Sequence, residues 1–462
     1  MPLLPFKTAE RRIGILGPSW SGKTILMTSL INHLKVQNPS HFHIGSKKSP
    51  SAHIRKFTPL PPGDGWPEFE YEKFRERLVH RRWPRKTHDH SVYTCQFERT
   101  DWKIYDVMLK LYDLPGERIN DFAMLRKGSD TFASWSDNFF KRVDRDITYA
   151  DRFESYLKKI NEPTVDEEQI LLTYKATLAR LRQSYKPYRT PSTFDLDRQG
   201  ETPARDRSPE QLAQERVVGL GKGDEFAPLP ATVRLRLPAV AEKFSLRFDR
   251  YCREMVEPLV ETMRSCHSLI IMVDVLQILA SDTGTRNDYQ ELIRDMLRAL
   301  DPKESFLSKG FRKLGEAFLP HQLRPGWISR IAFVTPKSDL VHPDDRNRLK
   351  HLLRAMVERD ARDLDGVTCD FFNVAAVQAA RKVEGSEAKR LLMGSTMLDG
   401  DGRLIEPGDQ LKYHVSPLPD DWPSHWKVGD YSFPSVYPQI PPLHDRAPDH
   451  IGLDDLFNFV CE

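Results

Sequence analysis

The 462-residue chain has no C-x-x-C pair, and its five cysteines (Cys95, Cys252, Cys266, Cys369 and Cys461) are scattered and odd in number. That usage excludes a thiolate zinc site and a disulfide framework, and it suits a reducing compartment. No apolar run is long enough to cross a bilayer: the longest, "LIIMVDVLQILA" from Leu269 to Ala280, is broken by Asp274. The opening "MPLLPFKTAERR" lacks the charged-then-apolar order of a secretory signal. A dominant charge of one sign is missing too. With 69 Lys and Arg against 66 Asp and Glu, the net +3 gives no electrostatic reason to expect a nucleic-acid surface. No internal repeat is present. These absences leave the expectation of a cytoplasmic protein with no direct transmembrane segment, able to dock at a membrane through a partner. The 39% hydrophobic content can fill a core, and the length calls for two domains or one with large insertions.

Against those absences stands one complete motif. Gly17 to Thr24 read G-P-S-W-S-G-K-T, a full G-x-x-x-x-G-K-[ST]. An apolar strand, Arg12 to Leu16, precedes it, and an apolar-striped helix from Lys23 to about Lys35 follows. Gly17 and Gly22 allow positive φ and close approach of the backbone to a ligand. N–H groups from Ser19, Trp20, Ser21, Gly22 and on to Ile25 can then converge on a phosphate at the positive end of the helix. Lys23 is expected to bridge the β- and γ-phosphates as a catalytic group, and the Thr24 hydroxyl to ligate Mg²⁺.

Such a loop needs a carboxylate at the end of a neighbouring strand. "IYDVMLKLYDLPGE" places Asp113 there and continues as D-x-x-G, with Gly116 positioned to contact a γ-phosphate. Glu117 stands where GTPases often carry a water-orienting glutamine or histidine, and is the candidate for that catalytic task. Asp274, at the end of "LIIMVD", is a rival metal ligand but fits better as the end of the next core strand. Further on, "SRIAFVTPKSDLVHPDD" runs a buried strand, Ile331 to Thr335, into P-K-S-D. This is close to the [NT]-K-x-D of GTPases: Asp339 would accept from the guanine N1–H and amine, and the Lys337 stem would lie over the base. Pro336 departs from that pattern, because it has no side-chain hydrogen bond to tie the loop. Ala375 and Ala376, after the strand in "CDFFNVAAVQAA", would offer backbone N–H groups to the guanine oxygen. The reading is therefore a guanine-nucleotide site using Mg²⁺ and GTP or GDP. An ATPase or kinase built on the same loop, or a scaffold that binds nucleotide without hydrolysis, remain as alternatives.

The chain resembles the YcjX family of Ras-like P-loop proteins. The resemblance rests on G-P-S-W-S-G-K-T, D-L-P-G-E at Asp113, "GKGDEFAPLP" at Gly221, "FDRYCREMVEPLV" at Phe248, the strand at Ile331 and "HIGLDDLFNF". It implies a stress-associated bacterial GTP-binding protein with an α/β Ras-like core, a large helical insertion and a YcjF-type inner-membrane partner.

Spacing organises the rest. Residues 1–117 are expected to form the first part of the core, with an expanded switch I loop over about 36–90. A magnesium-coordinating threonine is expected in this part of the chain, from among Thr58, Thr87 and Thr94. The nearby His41, His43, His53, His88 and His90 lack the spacing of a tetrahedral metal set and read as a solvated loop. Strands at Ser91 to Arg99 and Lys103 to Tyr112 alternate as a hairpin should. Residues 118–266 form the helical insertion: one helix is capped by Thr164 and Glu167, and a second runs from Val240 to about Met263. "GKGDEFAPLP" reads as a surface loop. Residues 267–398 complete the core with the base-recognition loops. The extension 399–462, rich in Pro, Asp and Trp, is expected to pack on it as extended chain. Insertion movement coupled to the nucleotide state and a rigid decoration are both open.

Overall fold

The computed structural model describes residues 8–45, 52–63, 65–84, 89–101, 106–126, 128–145, 147–183, 189–194, 208, 211, 213, 220–221, 223–301, 328–364, 366–385, 390–397, 406–408 and 410–462. The chain divides into two compact units: Met1–Gly116 with Arg264–Asp282 and Pro302–Glu462, and Glu117–Met263 with Thr283–Asp301.

The first unit is mixed α/β, built on a mostly parallel seven-stranded sheet. Its strands are β1 (Ala9–Leu16), β2 (Ile54–Leu60), β3 (Ser91–Arg99), β4 (Asp106–Asp113), β5 (Ser268–Met272), β6 (Arg330–Thr335) and β7 (Thr368–Asn373). They stand in the order β2-β3-β4-β1-β5-β6-β7. Strands β4, β1, β5, β6 and β7 are parallel, and β3 runs opposite to both its neighbours. All five residues of β5 are buried, as a strand covered on both faces requires. Helix α1 (Lys23–Val36) adds Leu26, Met27, Leu30, Ile31 and Leu34 to the main apolar cluster.

Two expectations change here. The stretch 36–90 is not only loop: it holds β2 and a helix, Tyr71–Val79. β2 takes the sheet edge, so the reversed strand β3 lies inside the sheet. The "extended" tail likewise ends in a helix, Leu453–Cys461, which inserts Leu453, Leu456, Phe457 and Val460 into the main cluster. Arg11 Nε donates to Cys461 O at 3.1 Å, and Ser268 Oγ to Val460 O at 2.7 Å, binding this helix to β1 and β5. Earlier in the extension, Leu411–His414 joins Leu391–Gly394 and Arg381–Lys382 in a small antiparallel sheet.

His33 on α1 is buried, stacked on Phe42 with ring centroids 5.0 Å apart and edge-on to His450. Burial, reinforced by His450, pushes its pKa down from 6.5 to about 3. The fold thus favours the neutral ring: its contribution is whole above pH 6.5 and is lost as pH falls towards 3, by up to about 1.4 kcal/mol per pH unit. His33→Phe, which keeps the ring contact without a titrating group, should flatten the acid limb of denaturant-derived stability between pH 6 and 4. Equal slopes for the two proteins would contradict this.

The second unit is helical and its core is aromatic. Trp135, Phe139, Phe153, Tyr156, Tyr174, Phe226 and Phe248 are buried, with pairs such as Phe139–Phe153 at 5.2 Å and Trp135–Phe248 at 5.4 Å. The helix Glu167–Gln183 is capped one position before its start: Gln169 N donates to Asp166 Oδ1 at 2.8 Å, and Asp166 N reaches Gln169 Oε1. The reciprocal pair is therefore Asp166 and Gln169, in place of Thr164 and Glu167. Glu167 instead accepts from Arg247 at 2.5 Å and Lys243 at 3.2 Å on the helix Pro238–Tyr251. That helix passes through a π turn, Cys252–Val256, into Glu257–Arg264. In "GKGDEFAPLP", Gly221 and Gly223 are exposed as a surface loop would have them, whereas Phe226, Ala227 and Leu229 are fully buried, so the second half is core; Lys222 lies outside the described residues. The helix Thr283–Leu300, placed with residues 267–398 by spacing, groups with this second unit.

Among the described residues no helix is long and apolar enough to cross a membrane.

Candidate functional site

β1 delivers the chain into a tight turn at Gly17, where φ is +151° and a Cβ would meet Met272 O at 2.8 Å and Ser21 Oγ at 2.9 Å. Gly22, at φ +88°, turns the chain into α1, whose first bond runs from Leu26 N to Gly22 O. Glycine is required at both positions by conformation, and at Gly17 by space as well. Trp20 also takes a positive φ, +69°, and leaves 69% of its surface exposed.

Lys23 is buried, and its ammonium donates to Gly17 O at 2.8 Å and Pro18 O at 3.0 Å. Thr24 Oγ1 stands 3.5 Å from Asp113 Oδ2. Asp113, at the end of β4, is fully buried, and its Oδ1 accepts no hydrogen bond among the described residues. Burial raises its pKa to about 6, with the Lys23 charge and the Thr24 hydroxyl opposing the rise. Just beyond it, Gly116 presses against the loop so closely that any Cβ would collide with the backbone of Pro18 and Ser19. Glu117 is buried, stands in the first turn of the 3-10 helix Gly116–Leu125 and belongs to the second compact unit.

Across the sheet, Asp339 follows β6 and is buried. Its Oδ2 accepts from Ala379 N at 2.8 Å and Ala380 N at 3.0 Å. Burial pushes its pKa up, and those two amides oppose the shift. Lys337, at φ +61°, pairs with Asp274 at 2.5 Å, and Asp274 also accepts from Gln277 N at the start of the helix Val275–Leu279. Asp274 thus serves as a loop tie. Ala375 N donates to Ile451 O at 3.0 Å, so this amide is already engaged and is unavailable to a base oxygen in this arrangement.

A pocket of about 380 Å³ lies at the carboxyl ends of the parallel strands. Ser19, Trp20, Gly22, Lys23, Thr24, Ile25, Gly116, Lys337, Asp339, Ala375 and Ala376 all line it, together with Asp274 and Pro336. Gly17, Ser21, Asp113 and Glu117 do not line it. Thr58 and Thr94 lie within β2 and β3 and are not among its walls, while Thr87 and His88 lie outside the described residues. No group of three or more His, Cys, Asp or Glu placed to hold a metal occurs among the described residues.

Sequence reasoning missed one wall. Trp83 and Pro84 face the pocket, as does Phe433–Val436 from far along the chain. Trp83 Nε1 donates to Val436 O at 2.8 Å; Met397 N to Ser435 O and Tyr437 N to Ser395 O complete the tie. The proline-rich composition of both segments signals only irregular chain.

Fold and pocket together define an α/β protein with a pocket over a glycine-bounded turn between β1 and α1. A model of the YcjX-like family, DUF463, matches residues 11–462, and the chain belongs to that family.

Proposed function

We propose that the protein binds guanine nucleotide with Mg²⁺, hydrolyses GTP slowly and acts as a nucleotide-dependent switch on a P-loop core. The carrying observation is the β1–α1 turn: two glycines at positive φ, a buried ammonium folded onto the turn, and Thr24 beside a buried carboxylate. Backbone N–H groups of this turn bind the β-phosphate, and Lys23 exchanges its carbonyl partners for phosphate oxygens.

Thr24 and Asp113 fit a magnesium ion, because Asp113 Oδ1 is a buried acceptor with no hydrogen bond among the described residues and a cation favours its ionised form. When bound, Mg²⁺ supplies charge neutralisation on the phosphates. In this reading Gly116, packed against Pro18 and Ser19, offers its N–H to the γ-phosphate, which makes the segment after it responsive to hydrolysis. Glu117 is the candidate for orienting the attacking water.

Guanine is favoured over adenine by Asp339. With Oδ2 held by two amides, the carboxylate presents a fixed acceptor edge that suits the guanine N1–H and amine, whereas adenine N1 would bring a lone pair against it. An adenine reading draws on Pro336 and on Lys337 being tied to Asp274. Parallel titrations with GDP and ADP decide between them: tighter ADP binding would end the guanine reading. Multi-turnover phosphate release, with Lys23→Ala as control, tests hydrolysis against a non-hydrolysing scaffold. The role in a bacterial stress response and a YcjF-type inner-membrane partner follow from the family resemblance and complete the proposal.

The missed wall sets the exchange rate. Trp83→Ala removes the indole hydrogen bond to Val436 and should speed dissociation of a fluorescent GDP analogue by about tenfold, the equivalent of one lost hydrogen bond. An unchanged off-rate would show that this wall does not retain the nucleotide.

A further inference from the structure

The second compact unit holds its own polar cavity of about 240 Å³, sharing no residue with the pocket in the first. It lies between the segment after the 3-10 helix Gly116–Leu125, the helix Phe132–Val143 and the helix Thr283–Leu300. Six cationic side chains line it: Arg126, Lys141, Arg142, Arg145, Arg294 and Arg298. Only two carboxylates, Glu291 and Asp295, stand among them.

Each carboxylate is shared. Asp295, itself buried, pairs with Arg126 and lies 3.6 Å from Arg142. Glu291 accepts from Arg142 Nε at 2.8 Å and from Arg145 at 3.2 Å. Three guanidinium groups, of Arg126, Arg142 and Arg145, thus share these two carboxylates. Lys141 and Arg298 add two more exposed cations at the rim.

Gathering like charges around a concave wall costs free energy in the free protein and focuses the field into the cavity. The shared carboxylates also hold the guanidinium groups in set orientations, and a planar fork so held matches phosphate oxygens without further ordering. Asn138 and Ser129, joined at 2.8 Å, contribute neutral polar groups to the same wall.

We propose that this cavity is a second anion site, one that binds a phosphate group carried either by a soluble molecule or by a lipid headgroup. Its occupant is independent of the nucleotide in the first unit.

The test uses the full chain carrying Lys23→Ala, which disables the turn after β1. Inorganic pyrophosphate is titrated calorimetrically, and flotation is measured with phosphatidylcholine vesicles with and without phosphatidylglycerol. At least one probe is expected to bind, with affinity falling at high salt. Lys141→Glu with Arg298→Glu should weaken that binding about tenfold or more, since both charges are reversed at the rim while the paired arginines stay. The milder Lys141→Gln with Arg298→Gln guards against misfolding and should weaken it in the same direction. Pyrophosphate binding alone assigns a soluble ligand, and anionic-vesicle binding alone a headgroup. Binding of neither probe, or binding untouched by both rim variants, overturns the proposal.

Discussion

Lys23→Ala should lower GDP affinity by roughly 30- to 150-fold, the loss of about 2–3 kcal/mol of charge-assisted hydrogen bonding. The ammonium is buried and poised over the turn, held by Gly17 O and Pro18 O. It therefore needs little reorganisation to meet a phosphate, and alanine leaves those carbonyls with one partner fewer. Titration of a fluorescent GDP analogue reads the effect, with circular dichroism confirming that the fold is kept. A folded variant with unchanged affinity would remove the phosphate reading of the turn, and with it the proposed function.

Asp339→Asn should weaken GDP by about 100-fold or more, because a site built to pair hydrogen-bonding groups rejects a mismatched edge strongly. The structure fixes which way the amide turns. Ala379 N and Ala380 N demand an acceptor, so the asparagine oxygen takes the place of Oδ2 and its NH₂ faces the base. Two donors then oppose the guanine amine, whereas xanthine, with an oxygen there, becomes the better partner. Xanthosine diphosphate binding should rise as GDP binding falls.

The apo variant should not melt lower than its parent at neutral pH. Burial raises the Asp339 pKa, so the folded state pays for the ionised form. That contribution favours the fold below the unfolded pKa and is lost as pH rises through the folded one. A neutral amide removes the dependence. Retained GDP preference in the variant would place the base elsewhere.

Much of this site is legible in the sequence because it is local. The β1–turn–α1 run is written in contiguous apolar residues and two glycines whose φ values only that residue adopts at ease. Ser91–Arg99 pairs antiparallel with Asp106–Asp113, whose burial alternates from Asp106 to Leu111; Asp113 ends that strand and Asp339 stands in the turn after Thr335. What was not legible is tertiary. β2, "IRKFTPL", carries Arg55, Lys56 and Pro59 on exposed positions and a bulge near its middle, so it has no two-residue apolar period to read. The Asp166–Gln169 cap competes with an equally spaced Thr164–Glu167 pair, and only the claim of Arg247 on Glu167 decides between them. The pairing of Lys337 with Asp274, 63 positions apart, and the tie from Trp83 to Val436, 353 apart, have no sequence signature at all.

The bond from Arg11 to Cys461 spans 450 positions, and it anchors the strand that feeds the candidate nucleotide turn. A ribosome therefore releases β1 long before the helix that seals it exists. For most of its synthesis the chain carries an apolar strand and a glycine-bounded turn with their lasting neighbours still unmade. Assembly of the first unit must wait for distant segments to meet, which slows it and leaves the young polypeptide dependent on protection from aggregation.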